Sequence, residues 1–185
     1  MRTVLTIGHS NRPLEVFIEL IEAHRVTRLV DVRTVPRSRH NPQFNADVLP
    51  RSLAERGIAH TPMRDLGGLR KPGPDSMNLG WRNESFRGYA DYMQTADFDN
   101  ALASLLALAQ RDRVAIMCAE SLPWRCHRSL IADALVARGV QVAHITNMAA
   151  AKPHVLTSFA RVEGGRVTYP ANELFDMPPV RTDPP

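Results

Sequence analysis

The stretch 116–135, IMCAESLPWRCHRSLIADAL, holds both cysteines of the chain, Cys118 and Cys126, with seven residues between them. Glu120, Arg125, His127 and Arg128 crowd in beside them. Thiol chemistry near neutral pH needs a thiolate, and helix N-termini or nearby cations lower a cysteine's pKa enough to supply one. The stretch begins as a buried strand and ends as an amphipathic helix, so its polar groups fall where one becomes the other. Ser121 reads as the helix N-cap and Pro123 as part of the first turn. Cys126 then sits in or just after that turn. Leu130, Ile131, Ala134 and Leu135 form the apolar stripe. Cys126 lies four residues before Leu130 and His127 four before Ile131, so both point toward the sheet, with Arg125 and Arg128 turned to its flanks. In this arrangement Cys118 or Cys126 is the candidate nucleophile, and Glu120, His127 or His9 the candidate proton carriers.

Each residue also has a packing role open to it. A cysteine on an inner helix face is often just a small buried hydrophobe. His127 can bond a loop carbonyl, Glu120 can pair with Arg125 or Arg33, and His9 can be a structural hydrogen-bond partner. A transient Cys118–Cys126 disulfide is a third reading. Cys118, Cys126, His127 and His9 are all zinc-ligand types, but C-x7-C matches no common zinc module. Two consecutive helical residues also diverge by ~100°. No metal and no cofactor are expected.

The elements that must position these groups alternate from the start. TVLTIG (3–8) is a short strand, and PLEVFIELIEAH (13–24) is a helix with Leu14, Phe17, Ile18 and Ile21 on one face. RLVDVR (28–33) is a second strand. A helix near 46–56 is stopped by Gly57, and IAHTPM (58–63) is a third strand. Residues 66–80, LGGLRKPGPDSMNLG, form a long surface excursion. Helices cover SFRGYADYMQT and FDNALASLLALAQR, VAIMCA (114–119) is a buried strand, and the helix after it runs to about Arg138. VQVAHIT (140–146) is the last strand of the set, and a hairpin turns at Gly164–Gly165. The fold class is therefore α/β: one domain over 1–176 with a mostly parallel central sheet and helices on both faces, followed by a frayed tail at 177–185. Ligands in such sheets lie beyond the carboxyl ends of the strands. There the first strand presents His9, Ser10 and Asn11, the second Asp31 and Arg33 with Arg37 and Arg39 close behind, and the fourth Cys118 and Glu120. These three strand ends are expected to share a single pocket, with Arg33, Arg37 and Arg125 holding an anion.

The net charge of +4 is unevenly spread: Arg25 to Arg87 carries twelve basic residues against six acidic ones, so the remainder is slightly acidic. Arginine outnumbers lysine 21 to 2, and guanidinium forks suit phosphate or carboxylate oxygens. An anionic partner fits this balance. GWRNESFRGYADYM interleaves Trp81, Phe86, Tyr89 and Tyr92 with Arg82 and Arg87, as a single-stranded nucleic-acid platform would. Phe86, Tyr89 and Met93 also fall on one helical stripe, which core packing explains. No apolar run reaches the ~18 residues of a membrane span, and the first strand is too short for a signal peptide. The expected setting is the cytoplasm, where two cysteines stay reduced.

The segments TIGHSNRP, LVDVRTVPRSRHNPQFN, LGGLR, NESFRGYADYM and MCAESLPWRCHRSLIADAL resemble the bacterial and archaeal family known as domain of unknown function 488. That resemblance implies an α/β fold and no particular activity. LVDVR, together with a cysteine closing a later strand, is also similar to rhodanese-like domains, which would make Cys118 the nucleophile. CAESLPWR lacks the glycine that a compact backbone anion cradle wants. The leading expectation is a thiol-dependent transferase or hydrolase acting on a nucleotide- or phosphate-bearing anion. The competing one is a nucleic-acid-binding or redox-sensing regulatory protein with structural cysteines.

Overall fold

The structure, a computed structural model, describes residues 3–171. The expected frayed end at 177–185 lies outside the described residues.

Five parallel strands make the frame: β1 (Val4–Gly8), β2 (Arg28–Asp31), β3 (Ala59–Pro62), β4 (Val114–Cys118) and β5 (Val142–His144). A two-residue antiparallel edge, β6 (Lys152–Pro153), completes the order β3-β2-β4-β1-β5-β6. β1 and β4 lie at the centre, with Gly8 level with Cys118. Both are buried at every position, which is why they read as continuous apolar runs.

Period-2 alternation divides the strand side chains between two cores. Leu5, Ile7, Leu29, Ala115 and Met117 pack with Phe17, Ile18 and Ile21 of α1 (Leu14–Ala23) and with Leu49 and Leu53 of α2 (Leu49–Ala54). Val4, Val30, Val32, Ile116 and Cys118 face the other way, toward α3 (Glu84–Tyr92), α4 (Ala96–Arg111) and α5 (Arg128–Ala137). Helices thus cover both faces, as the strand–helix alternation predicts. Asn83 caps α3 by accepting from the N–H groups of Ser85 and Phe86, and Thr95 caps α4 through Phe98 N–H. Gly57 and Gly139 stop their helices with φ of 69° and 77°. The hairpin β7 (Arg161–Glu163) and β8 (Arg166–Thr168) turns at Gly164–Gly165.

The junction after β4 differs from expectation. Pro123–Arg125 is a single 3-10 turn, Cys126 is extended (φ −139°, ψ 149°), and α5 begins only at Arg128. Ser121 caps nothing: its hydroxyl bonds the Glu120 carboxylate instead. Cys126 therefore lies ahead of the helix and not within its first turn.

Candidate functional site: a thiol pair at the strand ends

Cys118 ends β4 and Cys126 ends the loop that follows, so the chain doubles back and brings their sulfurs to 2.7 Å. Both are free thiols, 3% and 7% exposed. Two sulfurs this close are coupled, so a charge on one bears directly on the other. Burial and the hydrogen bond to Cys126 push Cys118 up. The bond from Cys118 outweighs burial at Cys126 and, helped by His127 and Arg128, draws that thiol below its ordinary value. The two shifts run in opposite directions, with Cys126 the thiol that ionises first.

The counter-cation is Arg128, which sequence reasoning placed on the flank of the helix. The structure corrects this: Arg128 is 1% exposed and the largest fully buried side chain. Its Nε–H donates to Cys118 Sγ at 3.0 Å, NH1 to Thr6 Oγ1 at 3.3 Å, and NH2 to the Glu120 and Ser121 carbonyls. Among the described residues no Asp or Glu lies within ion-pair distance of it. A buried guanidinium needs an anion beside it, and the sulfur pair is what it touches. One signal was legible: positions 131, 132 and 135 fall three, four and seven residues after Arg128, so it shares their buried helical stripe.

His127 Nε2–H donates to the Val32 carbonyl at 3.1 Å, which turns Nδ1 toward Cys126 Sγ at 3.5 Å. Around the thiols opens a cleft of about 330 Å³ lined by Arg33, Val35, Leu69, Phe86, Glu120 and Arg125 among others. Arg125 is exposed at its mouth.

The single pocket expected from the strand ends is in fact two neighbouring clefts. His9, Ser10, Asn11 and Arg37 line the second, and Arg33, Val35, Ala119 and Glu120 line both. Strand alternation is the cause: His9 follows Leu5 and Ile7 to the α1 side, where its ring stacks on Phe44 at 4.2 Å, whereas Cys118 follows Ile116 to the α5 side. Arg39 is exposed and lines neither cleft. Three described non-glycine residues have left-handed backbone, and two of them, Ser10 (φ 53°) and Leu69 (φ 60°), sit on these walls.

His9 has neither ring nitrogen free. Nδ1–H donates to the Ser10 carbonyl at 2.7 Å, and Nε2 accepts from Arg33 NH1 at 3.2 Å. Burial, opposed by the Ser10 bond, lowers its pKa to about 4, so the ring is neutral. Arg33 also forks onto Asp31, with Nε to Oδ1 at 2.8 Å and NH2 to Oδ2 at 2.6 Å, and its NH2 reaches the Phe44 carbonyl at 2.7 Å. Of five guanidinium N–H donors, four are thus engaged, and the last, on NH1, belongs to a side chain in the wall between the clefts. Asp31 lies beneath it, 3% exposed. The aromatic segment packs on itself: Trp81 lies against Phe86, Phe159 and Tyr169 with ring centroids 4.7, 4.9 and 5.4 Å apart. Arg70 stacks on Tyr92 at 3.8 Å and Arg87 pairs with Glu84.

The fold and site define an α/β protein of the open parallel-sheet class with a thiol pair beyond its central strands. The chain belongs to the family described as domain of unknown function DUF488, whose family model matches residues 13–135. That span runs from the start of α1 into α5 and takes in both cysteines, Arg33 and Arg128. No curated protein and no solved structure matches the chain. No described helix is long and apolar enough to cross a membrane, and no described group of three or more His, Cys, Asp or Glu side chains could hold a metal ion.

Proposed function

We propose that the protein is a thiol-dependent enzyme acting on an anionic, nucleotide- or phosphate-bearing substrate, with Cys126 as its nucleophile. One observation carries this reading: two sulfurs 2.7 Å apart sit on a buried guanidinium that has no carboxylate beside it, at the wall of an open cleft. Cys126 Sγ attacks an electrophilic centre, and a bond from sulfur to that centre forms. The displaced group departs with the electron pair of the broken bond and takes the proton retained on Cys118. Arg33, through its remaining NH1 donor, and Arg125 hold the anion, and Arg37 extends the same charge along the second cleft. Val35, Leu69 and Phe86 suit an apolar or planar portion of the substrate. Glu120 faces both clefts and is the remaining proton carrier. A reducing cytoplasmic setting keeps both thiols available.

Iodoacetamide labelling against pH tests this. Cys126 should label with an apparent pKa far below the ~8.5 of a free thiol, Cys126→Ser should remove the fast phase, and Arg128→Met should move its midpoint upward. If both thiols titrate as ordinary cysteines, the reading fails.

The 2.7 Å sulfur–sulfur approach also favours a second reading, in which the pair is redox-sensing and closes to a disulfide. The nucleic-acid alternative draws less support, because the aromatic rings of 81–92 are engaged with one another and with Phe159 and Tyr169.

A further inference from the structure

Behind the thiol site, on the far side of Arg128 from the cleft, runs a buried chain of polar side chains that the reaction does not touch. Thr6 Oγ1 and His144 Nδ1 are 2.7 Å apart, His144 Nε2 and His154 Nδ1 2.9 Å, and His154 Nε2 and Asp133 Oδ1 2.7 Å. Asp133 also accepts from Thr157 N–H at 3.0 Å and from the Tyr169 hydroxyl at 2.7 Å. Thr6 and Asp133 have no exposed surface, and His144 has 9%.

Arg128 and Asp133 fix the two ends. A guanidinium only donates and a carboxylate only accepts, so Thr6 Oγ1 accepts from NH1 and His154 donates from Nε2, and with both imidazole rings neutral the Thr6 O–H goes to His144 Nδ1. Burial, with His154 and Arg128 adding to it, lowers His144 to about 4, so its ring is neutral and carries its proton on Nε2. That proton points at His154 Nδ1, which leaves Nε2–H of His154 to donate to Asp133. Every bond therefore points the same way, from guanidinium to carboxylate, and bonds aligned in this manner polarise one another. The path also closes on itself. Arg128 and Asp133 are both on α5, and the route between them passes through β1, β5 and the residue after β6.

We propose that Thr6, His144, His154 and Asp133 are positioning residues of the thiol site, which hold the Arg128 guanidinium in register against Cys118. This rests on the thiolate reading above. None of the four lines the thiol cleft, and each acts only through Arg128. Other charged or titratable groups facing the sulfurs are His127, Tyr89 packed beside it and, in the cleft walls, Arg33, Glu120 and Arg125. None of these belongs to the chain.

The experiment is the rate of iodoacetamide labelling of Cys126 against pH in the full-length protein, with circular dichroism and urea midpoints as folding controls. Thr6→Val removes the hydroxyl and keeps the shape. It should move the labelling midpoint upward by about one pH unit, so that labelling slows about tenfold at pH values below the wild-type midpoint. Thr6→Ser should restore the wild-type profile. His144→Asn keeps an acceptor near Thr6 but cuts the link to His154, and should shift the profile in the same direction by less. It also keeps the test alive if Thr6→Val does not fold. If folded Thr6→Val and His144→Asn superimpose on wild type, or if Thr6→Ser is as slow as Thr6→Val, the inference is overturned while the thiolate reading stands. A wild-type profile without an acidic thiol overturns both.

Discussion

At the residue scale the most constrained group is Arg33. Its fork on Asp31 is almost wholly buried, with side chains 7% and 3% exposed. Burial works to raise the Asp31 carboxyl, but the bonds from Arg33, with His60 Nε2 3.8 Å away, outweigh it and hold the group below its ordinary range. The sign follows: the stabilisation is fully present above about pH 3.9, the unfolded value, and is lost as pH falls through the lower folded one. Asp31→Asn strands a buried guanidinium and should cost about 3–5 kcal/mol at neutral pH. Urea unfolding followed from about pH 7 down to about pH 2 should show that cost shrinking at the acid end. A pH-independent difference would contradict the assignment. The ends of the three strands were legible in the sequence, because a strand pattern that stops at Asp-Val-Arg or Met-Cys-Ala marks its own terminus. Arg128 was legible only through the helical stripe it shares with Ile131, Ala132 and Leu135; a charged residue at a helix start otherwise reads as solvated, and tertiary contact with Cys118, Thr6 and Glu120 gives it its role. The split of His9 from Cys118 was available in principle, since it follows from counting strand parity from Leu5 and from Ile116.

At the scale of elements, the close approaches decide what intrinsic preference cannot. Gly88 lies inside α3, where alanine would gain about 1 kcal/mol of helix propensity. A Cβ there would run into the Arg70 carbonyl oxygen and stand 2.5 Å from Lys71 C, backbone atoms that cannot rotate away. Overpacking of this kind costs about 1–3 kcal/mol, so Gly88→Ala should be net destabilising and should free the 66–80 excursion. A melting temperature lower by a few degrees, with faster proteolysis between Leu66 and Gly80, would check it. An equal or higher melting temperature would show that α3 and the excursion yield to each other. Helix periodicity revealed α1, α3 and α4 because each has a wet face. α5 has none over Arg128–Leu135, all of which is buried, so the start of the helix could not be read from where polarity gives way. The capping signal at Ser121–Pro123 was answered by a 3-10 turn, since the Ser121 hydroxyl turns to Glu120 and the carbonyls of 120 and 121 are held by Arg128.

For the molecule as a whole, the sheet was legible because its two central strands are buried on both faces, a pattern few other architectures require. Of its two-cleft layout, strand parity gives the separation of His9 from Cys118, and only the folded loops give the shared wall of Arg33, Val35, Ala119 and Glu120. The redox reading is tested at this scale. Hydrogen peroxide should take two electrons and the one proton held by Cys118 and Cys126, with a second proton from solvent, and leave as two waters, lightening the protein by two hydrogens in its neutral mass and abolishing labelling. Closing a loop this short favours the fold by roughly 2–3 kcal/mol. It also discharges the thiolate and leaves Arg128 a cation in a dry interior, at a cost of about 3–5 kcal/mol. The oxidised protein should therefore melt below the reduced one. A higher melting point would mean that Arg128 finds another anion.

Thermodynamic closure turns that imbalance into a property of the sulfur bridge itself. A crosslink that weakens its own scaffold is, by the same amount, easier to break in the native chain than in the denatured one. Arg128, set into the interior without a carboxylate, would thus act as a restoring force that returns the protein to its dithiol form whenever the surrounding reductant allows.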